Sequence, residues 1–157
     1  MSGEGTPSPE SFDIDGGLDV AIVAARWHAD VQESLAASAV AECARHGITA
    51  AVHWVPGTFE IPVVVRRLAV SHDAVIALGT VIRGGTPHFE YVCESVTSAL
   101  TRIPLDTGTP VGFGILTCDD LAQALDRAGL PDSTEDKGAE AAAAALATAT
   151  LLRRLTI

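Results

Sequence analysis

Ala74-Val75-Ile76-Ala77-Leu78-Gly79-Thr80-Val81-Ile82-Arg83-Gly84-Gly85-Thr86-Pro87-His88-Phe89-Glu90-Tyr91-Val92 reads as a strand, a charged glycine turn and the opening of a helix. The strand, Ala74 to Val81, is apolar almost throughout. That is the pattern of a strand covered on both faces, at the centre of a parallel sheet. The helix is expected from Pro87 to Arg102. Between them, Gly84 and Gly85 let the backbone come close to a ligand, and both are free to adopt positive φ. The amides of Gly85 and Thr86 would point at the mouth of the helix, where the dipole favours an anion. His88 lies within a turn of that place, and histidine moves protons near neutral pH. An anion cradle and an acid/base group thus meet at the carboxyl end of a strand, where open α/β sheets bind ligands. An ordinary strand-to-helix turn with a surface histidine would carry the same letters. The glycines are not a Walker loop, since no Gly-Lys-Ser/Thr follows, and their spacing is not that of a dinucleotide fingerprint.

Working outward, the alternation repeats. Leu18 to Ala25 is a strand, introduced by Gly16-Gly17. Asp30 is expected to cap the next helix with Glu33 answering it, and Val31, Leu35, Ala39 and Cys43 share one face. Gly47 ends that helix. Thr49 to Val55 is a second strand and Pro56-Gly57 a turn. Thr58 to Ser71 is expected as one helix, with Pro62 in its first turn, where the missing N–H does no harm. Pro110 to Thr117 is the fourth strand. A short helix follows from Asp119 to Ala128, then a loop from Pro131 to Thr134, then an alanine-rich helix from Glu135 to Leu155. This spacing predicts an α/β fold: a four-stranded parallel sheet with right-handed crossovers and helices on both faces. The alanine-dense face from Ala139 to Ala149 suits close helix packing, within the domain or between subunits.

At 157 residues the chain fits one domain, expected over residues 12–157, behind a mobile arm over residues 1–11. The formal net charge of −10 argues against nucleic acid or an anionic membrane as partner. It leaves room for a small anionic substrate, which senses the local field. Cys43, Cys93 and Cys118 are widely spaced, without a metal-ligand pattern, and read as reduced thiols of a cytoplasmic protein. Met1 to Asp15 is acidic and rich in Ser, Pro and Gly, unlike a signal peptide. No apolar run approaches membrane-spanning length.

Several stretches, each near a strand-to-helix junction, then fall into one order. They are Ala25-Arg26-Trp27-His28, Pro56-Gly57-Thr58-Phe59-Glu60-Ile61-Pro62, Val81 to Val92, Gly112-Phe113-Gly114-Ile115-Leu116-Thr117, Gln123-Ala124-Leu125-Asp126-Arg127-Ala128-Gly129 and Asp136-Lys137-Gly138. Together, from about Leu18 to the end, they resemble the lumazine synthase family of riboflavin biosynthesis. The resemblance implies a flavodoxin-like three-layer sandwich. It implies a transferase that joins 5-amino-6-ribitylaminouracil to 3,4-dihydroxy-2-butanone 4-phosphate, with no metal or organic cofactor. It implies that Trp27 stacks on the pyrimidine, that Thr58, Phe59 and Glu60 bind substrate, with Thr58 and Glu60 on the ribityl chain, and that Thr80, Val81 and Ile82 offer backbone groups to the uracil edge. Gly85 and Thr86 would cradle phosphate and His88 would relay protons. From a neighbouring subunit Phe113 would close over the ring, Arg127 would pair with phosphate and Lys137 would reach the ribityl chain. Many members carry Phe where this chain has Trp27, a change that keeps the stacking. The loop Leu130 to Glu135 is slightly longer than in members that build large shells, which favours an isolated homopentamer. An open four-stranded sheet leaves unpaired edge groups, and residues 8 to 15 are expected to add along a neighbour's edge.

Without the resemblance, Arg127 and Lys137 would read as helix-end charges; Trp27 could be a core tryptophan, but its position just after a strand end favours the site. Arg83 is tempting as a phosphate ligand, but a solvated turn arginine explains it equally well. A non-catalytic receiver module would need acids at the strand ends, where this chain has Trp27, Gly57, Arg83 and Cys118. A scaffold that had lost the chemistry would not need His88, Arg127 and Lys137 together.

Overall fold

Four strands, β1 (Val20–Ala25), β2 (Ala51–Val55), β3 (Ala74–Ile82) and β4 (Val111–Cys118), pair in parallel in the order β2-β1-β3-β4. Among the described residues five α-helices connect and follow them: α1 (Ala29–Arg45), α2 (Ile61–Leu68), α3 (His88–Thr107), α4 (Leu121–Leu125) and α5 (Lys137–Leu155). The computed structural model describes residues 13–155. The expected arm over residues 1–11, and most of the segment 8–15, lie outside them. Asp13 and Asp15 pair with Arg154 and Arg153 of α5.

The pleat sorts the side chains into two cores, because successive residues of a strand point to opposite faces. Val20, Ile22 and Ala24 of β1 and Ala74, Ile76 and Leu78 of β3 meet Leu35 and Ala39 of α1 and Ala142 and Leu146 of α5. Val23, Ala25, Val75 and Ala77 turn the other way, onto Ile61 and Val65 of α2 and Val96 and Leu100 of α3. The two central strands are therefore apolar on both faces, and β3 is buried from Ala74 to Thr80. The expected flavodoxin-like α/β architecture is the one formed. The alanine face of α5 serves packing inside the domain. A Cβ on Gly112 would lie 2.4 Å from the Ala141 carbonyl oxygen, so α5 rides directly on the β4 backbone.

Several boundaries differ from the sequence reading. Asp30 does not cap α1. The residue before that helix is His28, with no side-chain capping bond, and Asp30 sits in the first turn. The expected helix from Thr58 is split: Thr58–Glu60 forms a 3₁₀ turn, and α2 starts at Ile61 with Pro62 in its first turn. Proline fits only where no N–H is required, and that fixes the helix start. Helix α3 runs past Arg102 to Thr107, through Pro104. Pro104 falls in the last turn, which Gly108 closes at φ 76° by donating to the Pro104 carbonyl at 2.9 Å. Helix α4 is only Leu121–Leu125, capped by Asp120, whose carboxylate accepts from Gln123 N at 2.9 Å. Helix α5 starts at Lys137, two residues later than expected.

Among the described residues no helix is long and apolar enough to cross a membrane, and no group of three or more His, Cys, Asp or Glu side chains is gathered to hold a metal. The three cysteines are free. Burial pushes the Cys43 thiol up to about 11, which leaves it inert near neutral pH.

Candidate active site

Parallel strands bring their carboxyl ends to one edge of the sheet, and the site is built there. At the end of β1 the chain turns through Arg26, Trp27 and His28. His28 stands in the left-handed region at φ 59°, and its carbonyl accepts from Gln32 N at 3.0 Å. A non-glycine residue in that conformation costs about 1 kcal/mol or more. The turn holds Trp27 66% exposed, which rules out the core reading of that side chain.

After β2, Gly57 leads into the 3₁₀ turn. Gly79 of β3 makes room for it: a Cβ there would lie 2.7 Å from Thr58 Cγ2 and 2.9 Å from Ile61 Cδ1. With hydrogen alone in the way, Thr58 Oγ1 donates to the Thr80 carbonyl at 3.1 Å. Strand β3 carries Val81 and Ile82 beyond the buried core, and α3 opens with His88. These pieces line a cavity of about 300 Å³ that gathers Trp27, Thr58, Phe59, Glu60, Thr80, Val81, Ile82 and His88. Trp27, Phe59 and the branched Val81 and Ile82 suit a flat ring. Thr58 and Glu60 supply polar groups for hydroxyls, and His88 supplies a proton carrier.

Gly85 and Thr86 are exposed and border neither this cavity nor the groove described next. Neither Gly84 nor Gly85 uses positive φ; among the described residues the glycines that do are Gly47, Gly108 and Gly129. What the pair offers is space, since a Cβ on either would meet nothing within 4 Å. Helix α3 carries no side-chain cap, so its first amides are not taken up by a capping side chain.

Phe113, Arg127 and Lys137 stand apart from that cavity. They line a groove of about 740 Å³ where β4 meets α5, and the two cavities share no lining residue. Arg127 is steadied by Nη1 donating to the Gln123 carbonyl at 2.9 Å, and its own carbonyl accepts from Lys137 N at 3.0 Å. Lys137 Nζ lies against Glu135 and 2.7 Å from Glu140. Burial presses its pKa down, but the two carboxylates outweigh that, and the ammonium sits above the usual lysine range. The groove thus holds a guanidinium and a fixed ammonium beside an aromatic ring.

Arg83 is committed to its own chain. Its Nε donates to Asp119 at 2.9 Å, Nη1 meets Glu90, and the guanidinium lies 4.2 Å from the Phe89 ring centre. The Arg83 hydrogen bonds hold both carboxyls below their ordinary range. This brace ties the Gly84-Gly85 turn to β4 and α3, and it accounts for Arg83 without a ligand.

A family model described as 6,7-dimethyl-8-ribityllumazine synthase matches residues 17–153. The chain belongs to the 6,7-dimethyl-8-ribityllumazine synthase family. Curated relatives of that name align along nearly their whole length. The chain is 56% identical to the synthase of Clavibacter sepedonicus over 157 residues, covering 99% of this chain and 98% of that one. It is 57% identical to that of Saccharopolyspora erythraea, covering 99% and 94%, and 57% identical to that of Leifsonia xyli subsp. xyli, covering 99% of each. As a member of the 6,7-dimethyl-8-ribityllumazine synthase family it is an enzyme, a transferase of riboflavin biosynthesis.

One buried polar residue in contact with Thr80 lies outside the sequence reading. Gln32 is fully buried against Thr80. Its spacing to Leu35, Ala39 and Cys43 puts it on the covered face of α1, and a polar residue on such a face is the signal that marks it.

Proposed function

We propose that this chain condenses 5-amino-6-(D-ribitylamino)uracil with 3,4-dihydroxy-2-butanone 4-phosphate to give 6,7-dimethyl-8-ribityllumazine, phosphate and water. The amine attacks the ketone and an imine forms with loss of water. Phosphate is then eliminated, and the second nitrogen closes the ring with loss of another water. Holding two reactants in register supplies much of such an acceleration. Trp27 stacks on the pyrimidine, the backbone of Thr80, Val81 and Ile82 meets its polar edge, and Thr58 and Glu60, with Phe59 beside them, hold the ribityl chain. His88 moves the protons. Gly85 and Thr86 amides at the mouth of α3 receive the phosphate, with Arg127 of a neighbouring subunit. Phe113 and Lys137 of that neighbour cover the ring and the ribityl chain. No metal or organic cofactor takes part, and neither nucleic acid nor membrane is a partner; the enzyme works in the cytoplasm.

The observation that carries this reading is the cavity gathering Trp27, Thr58, Glu60, the end of β3 and His88. Mixing the purified protein with both substrates and following the fluorescent lumazine tests it. A folded protein that forms none returns the chain to the class of binding modules.

A second observation supports a site shared between subunits: on one chain Phe113, Arg127 and Lys137 lie in a different groove from His88. In this reading the protein is a homopentamer, and light scattering is expected to give five chains per particle; a monomer or a larger shell contradicts it. An Arg127→Ala enzyme is expected to raise KM for the butanone phosphate by about 10–100-fold, the value of charge-assisted hydrogen bonds. Inorganic phosphate inhibits the parent and inhibits this variant much less. Equal inhibition of both puts the anion elsewhere.

A further inference from the structure

Strand β1 pairs with β3 no further than Ala24 opposite Leu78, while β4 accompanies β3 to Ile82. Ala25, the last residue of β1, lies opposite Gly79, and beyond it the β1-facing edge of β3 has no strand beside it. Backbone N–H and C=O groups of one residue point to the same side of a strand, so that edge presents the second lone pair of the Leu78 carbonyl, the first being met by Ala25 N, then the Thr80 amide and carbonyl, then the Ile82 amide. Buried peptide groups of this kind need partners.

The carboxamide of Gln32 fills the gap. It lies 2.7 Å from Thr80 Oγ1. One orientation satisfies every neighbour: the amide nitrogen donates to the Leu78 carbonyl at 3.1 Å, and the oxygen accepts from Thr80 N at 3.1 Å and from Thr80 Oγ1 at 2.7 Å. The reverse orientation sets donor against donor and acceptor against acceptor. A peptide of a parallel strand opposite Gly79 would make the same two backbone bonds, donating to the carbonyl one residue before and accepting from the amide one residue after. In this register Ala25 N already reaches the Leu78 carbonyl, so the side chain stands in for the Ala25 carbonyl, which no longer meets Thr80 N as the main chain turns away to present Trp27. Thr58 Oγ1 donates to the Thr80 carbonyl, the next group on the edge, whose second lone pair stays open to a ligand.

We infer that Gln32 is a positioning residue for the pyrimidine substrate: its amide completes the edge of β3 up to Thr80 and leaves the Ile82 amide as the next donor, held in register at the cavity. The inference rests on the reading that this cavity takes the pyrimidine. It predicts a split between substrates, because the phosphate lies at the mouth of α3, away from this edge.

The test compares the parent with Gln32→Leu and Gln32→Glu. For Gln32→Leu, KM for the ribitylaminouracil is expected to rise about tenfold, with KM for the butanone phosphate essentially unchanged. Gln32→Glu is expected to resemble the parent at low pH, where a neutral carboxyl donates to the Leu78 carbonyl and accepts from Thr80 N. It should lose pyrimidine affinity as pH rises and a carboxylate faces that carbonyl. In the ligand-free parent, amide exchange should be slow at Thr80 and faster at Ile82. The inference is overturned by a folded Gln32→Leu enzyme whose two KM values are unchanged or move together, by a Gln32→Glu enzyme with the parent's pH profile, or by a parent whose Thr80 amide exchanges as fast as that of Ile82. The exchange measurement decides even where a variant does not fold. A parent that makes no lumazine overturns the functional reading instead.

Discussion

A His88→Ala enzyme is expected to turn over about 10²–10⁴-fold more slowly, the usual contribution of a positioned acid or base. KM for the pyrimidine should stay close to that of the parent. His88 is the first residue of α3 and lines the cavity beside Val81 and Ile82. Among the described residues its ring has no hydrogen-bond partner, so its removal strands no buried group and stability should change by less than about 0.5 kcal/mol. Imine formation proceeds slowly without help, which pulls the loss toward the lower end of the range. Steady-state kinetics with both substrates check the claim. A variant as fast as the parent makes His88 a structural surface residue.

Gly138→Ala is expected to destabilise the fold by about 1–3 kcal/mol, as overpacking does. Gly138 lies in the first turn of α5 where that helix crosses α1. A Cβ there would sit 2.3 Å from the Leu35 carbonyl oxygen and 3.0 Å from Leu35 Cα. Both obstacles are backbone, so no side chain can turn aside, and the helices must separate. Lys137 precedes it, so its ammonium moves as well and activity should fall with stability. Gly84→Ala is the matched control: nothing lies within 4 Å of its Cβ and its φ is not positive, so its melting temperature should match that of the parent. Thermal unfolding of the three proteins checks both statements. A Gly138→Ala protein as stable as the parent contradicts the close crossing of α1 and α5.

The parts of this molecule legible in its sequence are those that local pattern dictates. The apolar run Ala74 to Ile82 and the glycine turn after it gave a buried strand entering a helix, and repetition of that unit gave the parallel sheet. Parallel topology then explains why Trp27, Thr58, Glu60 and His88, far apart in the chain, meet at one edge. The helix starts were less legible because tertiary contacts set them. Asp30 has the chemistry of a cap, yet the left-handed turn at His28 starts α1 earlier and swings Trp27 outward. Thr58 leaves the expected helix because Gly79 admits it against β3. Helix α3 outruns its expected end at Arg102, because a helix tolerates Pro104 in a closing last turn. Gln32 is hard to read from sequence because helix periodicity is carried by apolar residues, and its partner is a strand edge that exists only after folding. Phe113, Arg127 and Lys137 were assigned through resemblance alone. Their separation from His88 on one chain is a three-dimensional fact that spacing does not encode.

That separation makes the shared site the centre of the account, and mixed assembly tests it most directly. His88→Ala and Arg127→Ala chains are made separately, each poorly active, then dissociated together and reassembled at equal amounts. With random mixing, about a quarter of the interfaces pair an intact His88 with an intact Arg127 from the adjacent chain. The account predicts partial recovery of lumazine formation, levelling off well below the parent. No gain over the separate variants, with subunit exchange independently demonstrated, would contradict it and confine His88 and Arg127 to one chain or remove one of them from the chemistry.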